Sequence, residues 1–303
     1  MSANQIQFPE FLDRLDLKTG IEGELAQKQK NLVFSNGFFQ SPDQKDQFSL
    51  YYELYGQGPI KEIFICGFGG DMDLYRRVLL PTLSRPEFQV CIFNNRGIPP
   101  STSKSSKSQT IATMAHDAYL LIQHLGWQKV NISAGSMGGM IALEFASTYP
   151  EIMDSLTVSC GTAGPYKPSF KTFKSFAVQA FSKDQKKIRE YNAKLMHSEQ
   201  FLNEKHPEFD NMTGLEFTCQ ENPLNPYPCK TQPVKILIQQ AKAIFKHKVS
   251  ISRLQKIKFN GIRTLIQHGI DDQIIPFENG VFIAKHVGGL FIQYEHSVNM
   301  QIK

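Results

Sequence analysis

The chain has 303 residues, 41% of them apolar, with a net charge of +5 and an isoelectric point of about 8.8. That length can bury a large core, as one α/β domain or two smaller ones. The basic residues are mostly scattered lysines without a dense tract, which argues against nucleic-acid binding, and no apolar run approaches transmembrane length.

Residues 1–30 are polar and irregular and read as a loosely attached leader. They lack the apolar block of a signal peptide and the acid-poor, Arg-rich character of a transit peptide, so a cytoplasmic location is expected. The five cysteines, Cys66, Cys91, Cys160, Cys219 and Cys229, are odd in number and match no metal-knuckle spacing. They are expected as reduced, buried thiols, with no metal and no organic cofactor.

From residue 48 onward strands and helices alternate. The segments 48–56, 61–66 and 88–93 read as strands, with a helix over 73–83 between the second and third. Apolar positions Ile111, Met114, Ala118, Leu121 and Leu125 recur at helical spacing and predict a helix that ends at Gly126. A short buried strand follows over 129–134, then a Gly-rich turn, then a helix closed by Pro150, then a strand over 155–160. Residues 163–255 carry no good strand. They are rich in Lys and Phe and read as a helical insertion. The βα rhythm resumes with a strand over 263–267, a helix over 276–287 and a strand over 290–294. Repeated βα units predict a parallel sheet with helices on both faces.

The turn "NISAGSMGGM" (131–140) places Ser136 among Ala134, Gly135, Gly138 and Gly139, directly between a strand and a helix. So sharp a turn crowds its neighbours, which must be small, and it presents a strained, exposed hydroxyl at a helix N-terminus. That is the pattern of a nucleophile elbow. A phosphate-binding glycine loop fits poorly, because neither its glycine spacing nor its Lys-Ser/Thr ending is present. An elbow requires an acid and then a histidine downstream. The stretch after strand 263–267 offers Asp271 and Asp272. Of eight histidines only His286 and His296 follow them, and His286 falls inside a helix. His296 follows the last strand, on the rim where the carboxyl ends of parallel strands converge, so it is the candidate base. The backbone N–H groups of Met137 and of Phe68, in "CGFGGD", are the candidate oxyanion donors.

These landmarks, "YYELYGQGP", "ICGFGGD", "NNRGIPPS", "AGSMGGMIALEFASTYP", "LIQHGIDDQIIP" and "YEHS", resemble the α/β-hydrolase fold family over residues 48–298. The resemblance implies an eight-stranded, mostly parallel sheet formed by residues 31–162 and 256–303. It implies a helical cap over 163–255, set on the sheet's carboxyl edge. It makes Ser136 the nucleophile and His296 the base. It selects Asp272 over Asp271 as the acid, because the family acid falls three residues after the glycine, here Gly269. The chain departs from the family pattern at Cys66, at Asn94, at Glu295 before the base, and in having only seven residues after His296.

The expected activity is hydrolysis of a carboxylic ester, including a lipid or thioester, through an acyl-enzyme. The alternatives are acyl transfer with the same triad and a non-catalytic structural subunit. In the insertion, Phe170, Phe173 and Phe181 lie near helical spacing among Lys167, Lys171 and Lys174. One reading lays Phe170 and Phe173 over the substrate. The other makes the segment a basic amphipathic lid that meets an anionic membrane.

Overall fold

The structure, a computed structural model, describes residues 34–72, 85–104, 109–182, 184–205, 212–219 and 232–294. The leader expected over 1–30, the helix expected over 73–83 and the candidate base His296 lie outside the described residues.

Strand formation starts earlier than the sequence pattern indicates. β1 (Phe34–Gln40) forms an antiparallel hairpin with β2 (Phe48–Tyr55). Its sequence, FSNGFFQ, has Asn and Gly in its middle, which hides the alternation that marks a strand. β3 (Ile60–Ile65), β4 (Phe88–Phe93), β5 (Thr102–Ser103), β6 (Val130–Gly135), β7 (Met153–Ser159), β8 (Arg263–Gly269) and β9 (Leu290–Tyr294) follow. The sheet order is β1-β2-β4-β3-β6-β7-β8-β9, with the two-residue β5 paired to β2. β2 runs antiparallel to its neighbours, and every pair from β4 to β9 is parallel. This is the expected eight-stranded, mostly parallel sheet with one short added strand.

The central strands are apolar on both faces because helices cover both. Ile63, Ile65, Val90, Cys91 and Leu156 are all fully buried. Burial also pushes the Cys91 thiol pKa up, which keeps it protonated and inert. Helix α1 (Ile111–His124) starts at Thr110, whose hydroxyl accepts the Thr113 N–H in a reciprocal capping arrangement. Its Met114, Ala118 and Leu121 form one buried face. Helix α2 (Met137–Thr148) is buried along most of its length, as a helix in the centre of a three-layer fold must be.

Arg96, after β4, joins three elements. It forms a buried ion pair with Asp117 of α1, reaches Asp46 of the β1–β2 hairpin at 3.1 Å, and stacks 4.1 Å over the Phe48 ring. A guanidinium suits this place because it offers several planar donors and an apolar face at once.

Between β7 and β8 lie helices α3 (Phe170–Phe181), α4 (Gln185–Met196), α5 (Glu199–Asn203), α6 (Gly214–Cys219), α7 (Val234–Lys246) and α8 (Ile251–Phe259). The last of these runs across the boundary expected at 255. It packs on α2 and on α9 (Glu278–Val287), and its Arg253 pairs with Glu144 of α2 at 2.8 Å, so it belongs with the sheet-covering helices. The chain returns from the insertion at residues 247–250. There the Val249 N–H donates to Ala163 O at 2.8 Å and His247 Nε2 donates to Thr162 O at 3.2 Å. Gly164, at φ +74°, passes so close that a Cβ would lie 2.0 Å from His247 O. None of the described helices is long and apolar enough to cross a membrane.

Burial lowers the His247 pKa from 6.5 to about 4, and the same cause lowers that of His197 to about 4. Both rings are therefore held neutral in the fold, whereas the unfolded chain takes up protons below pH 6.5. The stability they contribute is present above that value and is lost as the pH falls toward about 4. The denaturation midpoint is expected to fall across this window. His247→Gln, which keeps a donor for Thr162, should remove part of the fall. Denaturant titrations at about pH 7 and about pH 5 check this, and an unchanged pH profile in the variant refutes it.

Candidate active site

Ser136 stands between β6 and α2 at φ 55° and ψ −123°, a backbone conformation that costs a non-glycine residue about 1–3 kcal/mol. The sheet holds it there. Ser136 N–H continues the ladder by donating to Ser159 O of β7 at 3.0 Å, and Ser136 O accepts from Met140 N–H as the helix begins. Its hydroxyl makes no capping bond to α2 and its side chain is only partly buried.

The small residues around it have separate causes. A Cβ on Gly138 would sit 2.1 Å from the backbone oxygen of Ile65 in β3. The first turn of α2 therefore lies directly against the neighbouring strand. A Cβ on Gly139 would meet Val158 Cγ1 at 2.9 Å. Met137 opens α2, so its amide has no carbonyl within the helix to donate to.

The loop after β3 carries Phe68, the other expected oxyanion donor. It turns through a Gly70 N–H to Gly67 O bond of 3.3 Å, with Gly69 at φ +61°. Two side chains from elsewhere fix this loop. Asn95, after β4, donates through Nδ2 to Cys66 O at 3.0 Å. Gln240 of α7, wholly buried, accepts the Gly69 N–H on Oε1 at 2.9 Å. The neighbouring Asn94 accepts the Met72 N–H at 2.7 Å and donates to Pro99 O at 2.8 Å. Gln240 cannot be turned over, because its NH₂ would then face the Gly69 N–H. Its Nε2 is left as a buried donor without a hydrogen-bond partner among the described residues.

The sequence marked Asn94 and the CGFGGD loop without giving the asparagines a task. Gln240 carried no signal at all, being one of several polar positions on an amphipathic helix. Its partner lies 171 residues away in the chain.

Asp272 and Asp271 separate by environment. Asp271 is exposed, while Asp272 is 7% exposed. Oδ1 of Asp272 accepts the N–H groups of Ile274 and Ile275 at 2.8 and 2.9 Å. Oδ2 is buried, 3.4 Å from His268 Nε2, and has no hydrogen bond among the described residues. His268 Nε2 instead donates to Ile275 O at 2.8 Å.

The strand register brings these parts to one rim. Ile65, Ala134 and Val158 lie level across β3, β6 and β7, and Gly135, Ser159 and Gln267 lie level across β6, β7 and β8. Phe68, Ser136 and Asp272 therefore follow the carboxyl ends of three parallel strands, β3, β6 and β8, by one to three residues. Gly269 pairs with Tyr294 of β9. Phe170 and Phe173 stand largely in solvent, 82% and 58% exposed, rather than packed over this rim.

Two substitutions test the packing of this region. Gly138→Ala is expected to destabilise the fold by about 3 kcal/mol or more, because its new methyl meets a backbone carbonyl in mid-sheet that cannot step aside. The check is a denaturant midpoint, and a variant as stable as the parent refutes the close approach. Gln240→Leu orphans the Gly69 amide and is expected to cost about 1–3 kcal/mol by the same measurement.

The α/β hydrolase fold family matches residues 63–300 of the chain. The chain is 28% identical over 120 residues to a putative carbamate hydrolase RutD of Caulobacter sp. strain K31, covering 38% of this chain and 44% of that protein. It is 43% identical over 63 residues to a homoserine O-acetyltransferase of Thermus thermophilus, covering 20% of this chain and 17% of that protein. Each alignment thus spans less than half of the relative's length. Among solved structures, a carboxylesterase of the thaumarchaeon Nitrososphaera gargenis superposes with a TM-score of 0.65 at 18% identity, over 86% of this chain and 90% of that one. With its sheet order, its strained strand-to-helix serine and a family match across most of its length, the chain belongs to the α/β-hydrolase fold family.

Proposed function

We propose that the chain is a serine hydrolase of carboxylic esters, acting through Ser136, His296 and Asp272. The observation that carries this reading is the backbone of Ser136. A serine held at φ 55°, with no capping bond for its hydroxyl, is unfavourable locally and is maintained by the sheet around it. That arrangement makes sense for a nucleophile.

In this reading His296 takes the Ser136 proton as Oγ attacks the substrate carbonyl carbon. The C–O bond of the ester breaks as the proton passes to the departing alkoxide. Water then attacks the acyl carbon and gives one proton to His296, and the bond from that carbon to Ser136 Oγ breaks as the proton returns to Oγ and the acid leaves. Asp272 orients the imidazole and stabilises its cation. Its buried Oδ2 offers the acceptor this role needs, and its Oδ1 is already fixed by two amides. His296 follows Tyr294 by two residues, and Tyr294 is in register with Gly269, three residues before Asp272. The N–H groups of Phe68 and Met137 hold the oxyanion, with the loop of Phe68 braced by Asn95 and Gln240.

The carboxylesterase and the putative carbamate hydrolase among the similar proteins support hydrolysis at a carbonyl. The local identity to a homoserine O-acetyltransferase favours one second reading, transfer of the acyl group to a hydroxyl in place of water. The departures at Cys66 and Asn94, which raise the non-catalytic alternative, do not leave the loops loose. Asn94 bonds on both sides, and Cys66 O accepts from Asn95.

A fluorophosphonate probe is expected to label Ser136, and Ser136→Ala is expected to abolish labelling and to lower short-chain aryl ester hydrolysis about 10³-fold or more. His296→Ala should lose a similar factor, and the double variant little more, because the two act as a unit. Product analysis with an added alcohol separates hydrolysis from transfer. Absence of labelling, hydrolysis and transfer in the wild-type chain overturns the enzyme reading in favour of a non-catalytic subunit.

A further inference from the structure

An amphipathic helix on a protein surface ordinarily turns its apolar side to the core. Helix α3 does the opposite with three of its phenylalanines. Phe170, Phe173 and Phe181 share one helix face at about 100° per residue, and they are 82%, 58% and 76% exposed. Thr172, on the other side, is wholly buried and donates to Gln273 O at 3.1 Å. Burying a phenylalanine is favourable, so three left in water on one face mark a surface that has an apolar partner to meet. Helix α7, which packs against α3, extends the same character with Ile238 and Phe245 at 40% and 41% exposure.

The net positive charge of the chain falls largely within the segment that carries α3 and the adjoining α4. Residues 167–196 hold eight Lys and Arg against two acids, a net charge of +6, whereas the whole chain carries +5. The remainder is therefore close to neutral. Helices α3 and α7 together contain five lysines and no acid. Lys171 reaches the neutral Gln273 Oε1 at 3.3 Å and Lys174 lies 5.3 Å from the Tyr191 ring centroid, so neither charge is cancelled by a carboxylate among the described residues.

From exposed aromatics and uncancelled lysines on the same helices, we propose that the α3 face of the insertion docks on an anionic phospholipid surface. The phenyl rings enter the boundary between headgroups and acyl chains, and the lysines meet the lipid phosphates and carboxylates. Charge alone would also suit an acidic protein or a nucleic acid. A bilayer is favoured because the rings lie along a helix face next to the charges, which matches an apolar layer beneath an anionic one. Single-stranded nucleic acid is held instead in a basic groove with stacking platforms. This docking does not depend on the catalytic reading, and Ser136→Ala is expected to bind vesicles as the wild type does.

The test is flotation of the full chain with vesicles of phosphatidylcholine containing one-third phosphatidylserine, against pure phosphatidylcholine. Binding is expected to the anionic vesicles and to weaken as salt is raised. Lys171→Glu with Lys174→Glu should weaken it about tenfold or more, at about 1 kcal/mol for each charge near the surface. The triple replacement of Phe170, Phe173 and Phe181 by Ala should weaken it by a similar factor, with an unfolding midpoint no lower than that of the wild type. A Phe173→Trp reporter should shift its emission to the blue only on the anionic vesicles. No binding to anionic vesicles overturns the proposal. So does equal binding to neutral ones, or binding that both sets of variants retain. Capture by a nucleic acid or an acidic protein, with vesicles left unbound, also overturns it and assigns the face to that partner.

Discussion

The organisation of the rim that carries Ser136 depends on one close approach. The first turn of α2 lies against β3 with no room for a single methyl group, since a Cβ on Gly138 would come 2.1 Å from Ile65 O. That contact sets how far the chain advances between β6 and α2, and so the angle through which it turns. Ser136 is the residue at which the turn is made, and its positive φ is the consequence. The ladder bond to Ser159 O prevents the strain from relaxing by letting the strand end earlier. Helix α2 is in turn buried on nearly all sides, so it cannot retreat from β3 to relieve the crowding.

The loop after β3 shows a complementary strategy. It is built of glycines and has few side chains with which to stabilise itself. Its conformation is imposed from outside, by Asn95 from the β4 loop and by Gln240 from the insertion. One of the insertion's helices supplies the acceptor for a backbone amide next to Phe68. Changes in how that helix sits will be felt at the place where an oxyanion would be held. Leu237 and Ile236 tighten the same contact, approaching Gly69 and Gly97 so closely that side chains there would meet them at 3.0 and 2.5 Å.

The insertion has two unlike surfaces as a result. Towards the sheet it presents Gln240, Ile236, Leu237 and Thr172, all buried. Away from it α3 presents phenylalanines among lysines. An apolar surface left in water is costly, whereas the inner surface includes buried polar groups that need partners. This distribution is the reverse of what burial alone would produce, and it gives the two sides different demands to satisfy.

Elements whose identity is local can be read directly from the residues. Strands such as 88–93 and 290–294 are legible because they are short runs of β-formers bounded by turn residues. The elbow is legible because its crowding excludes every residue but small ones at fixed offsets from Ser136. The distinction between Asp271 and Asp272 was open to spacing only through family resemblance. The structure separates them physically, since Asp272 alone is buried with amides directed at it. Tertiary structure alone decided the rest. β1 exists because β2 offers it an edge, not because FSNGFFQ alternates. Arg96 lies buried because Asp117, Asp46 and Phe48, from two other elements, converge on it. The periodicity of α3 shows that it has an aromatic face, but a pattern cannot say which way that face turns. The direction is set by what the opposite face can bond to, here the carbonyl of Gln273 a hundred residues on. A pairing at such separation leaves no trace in the local sequence.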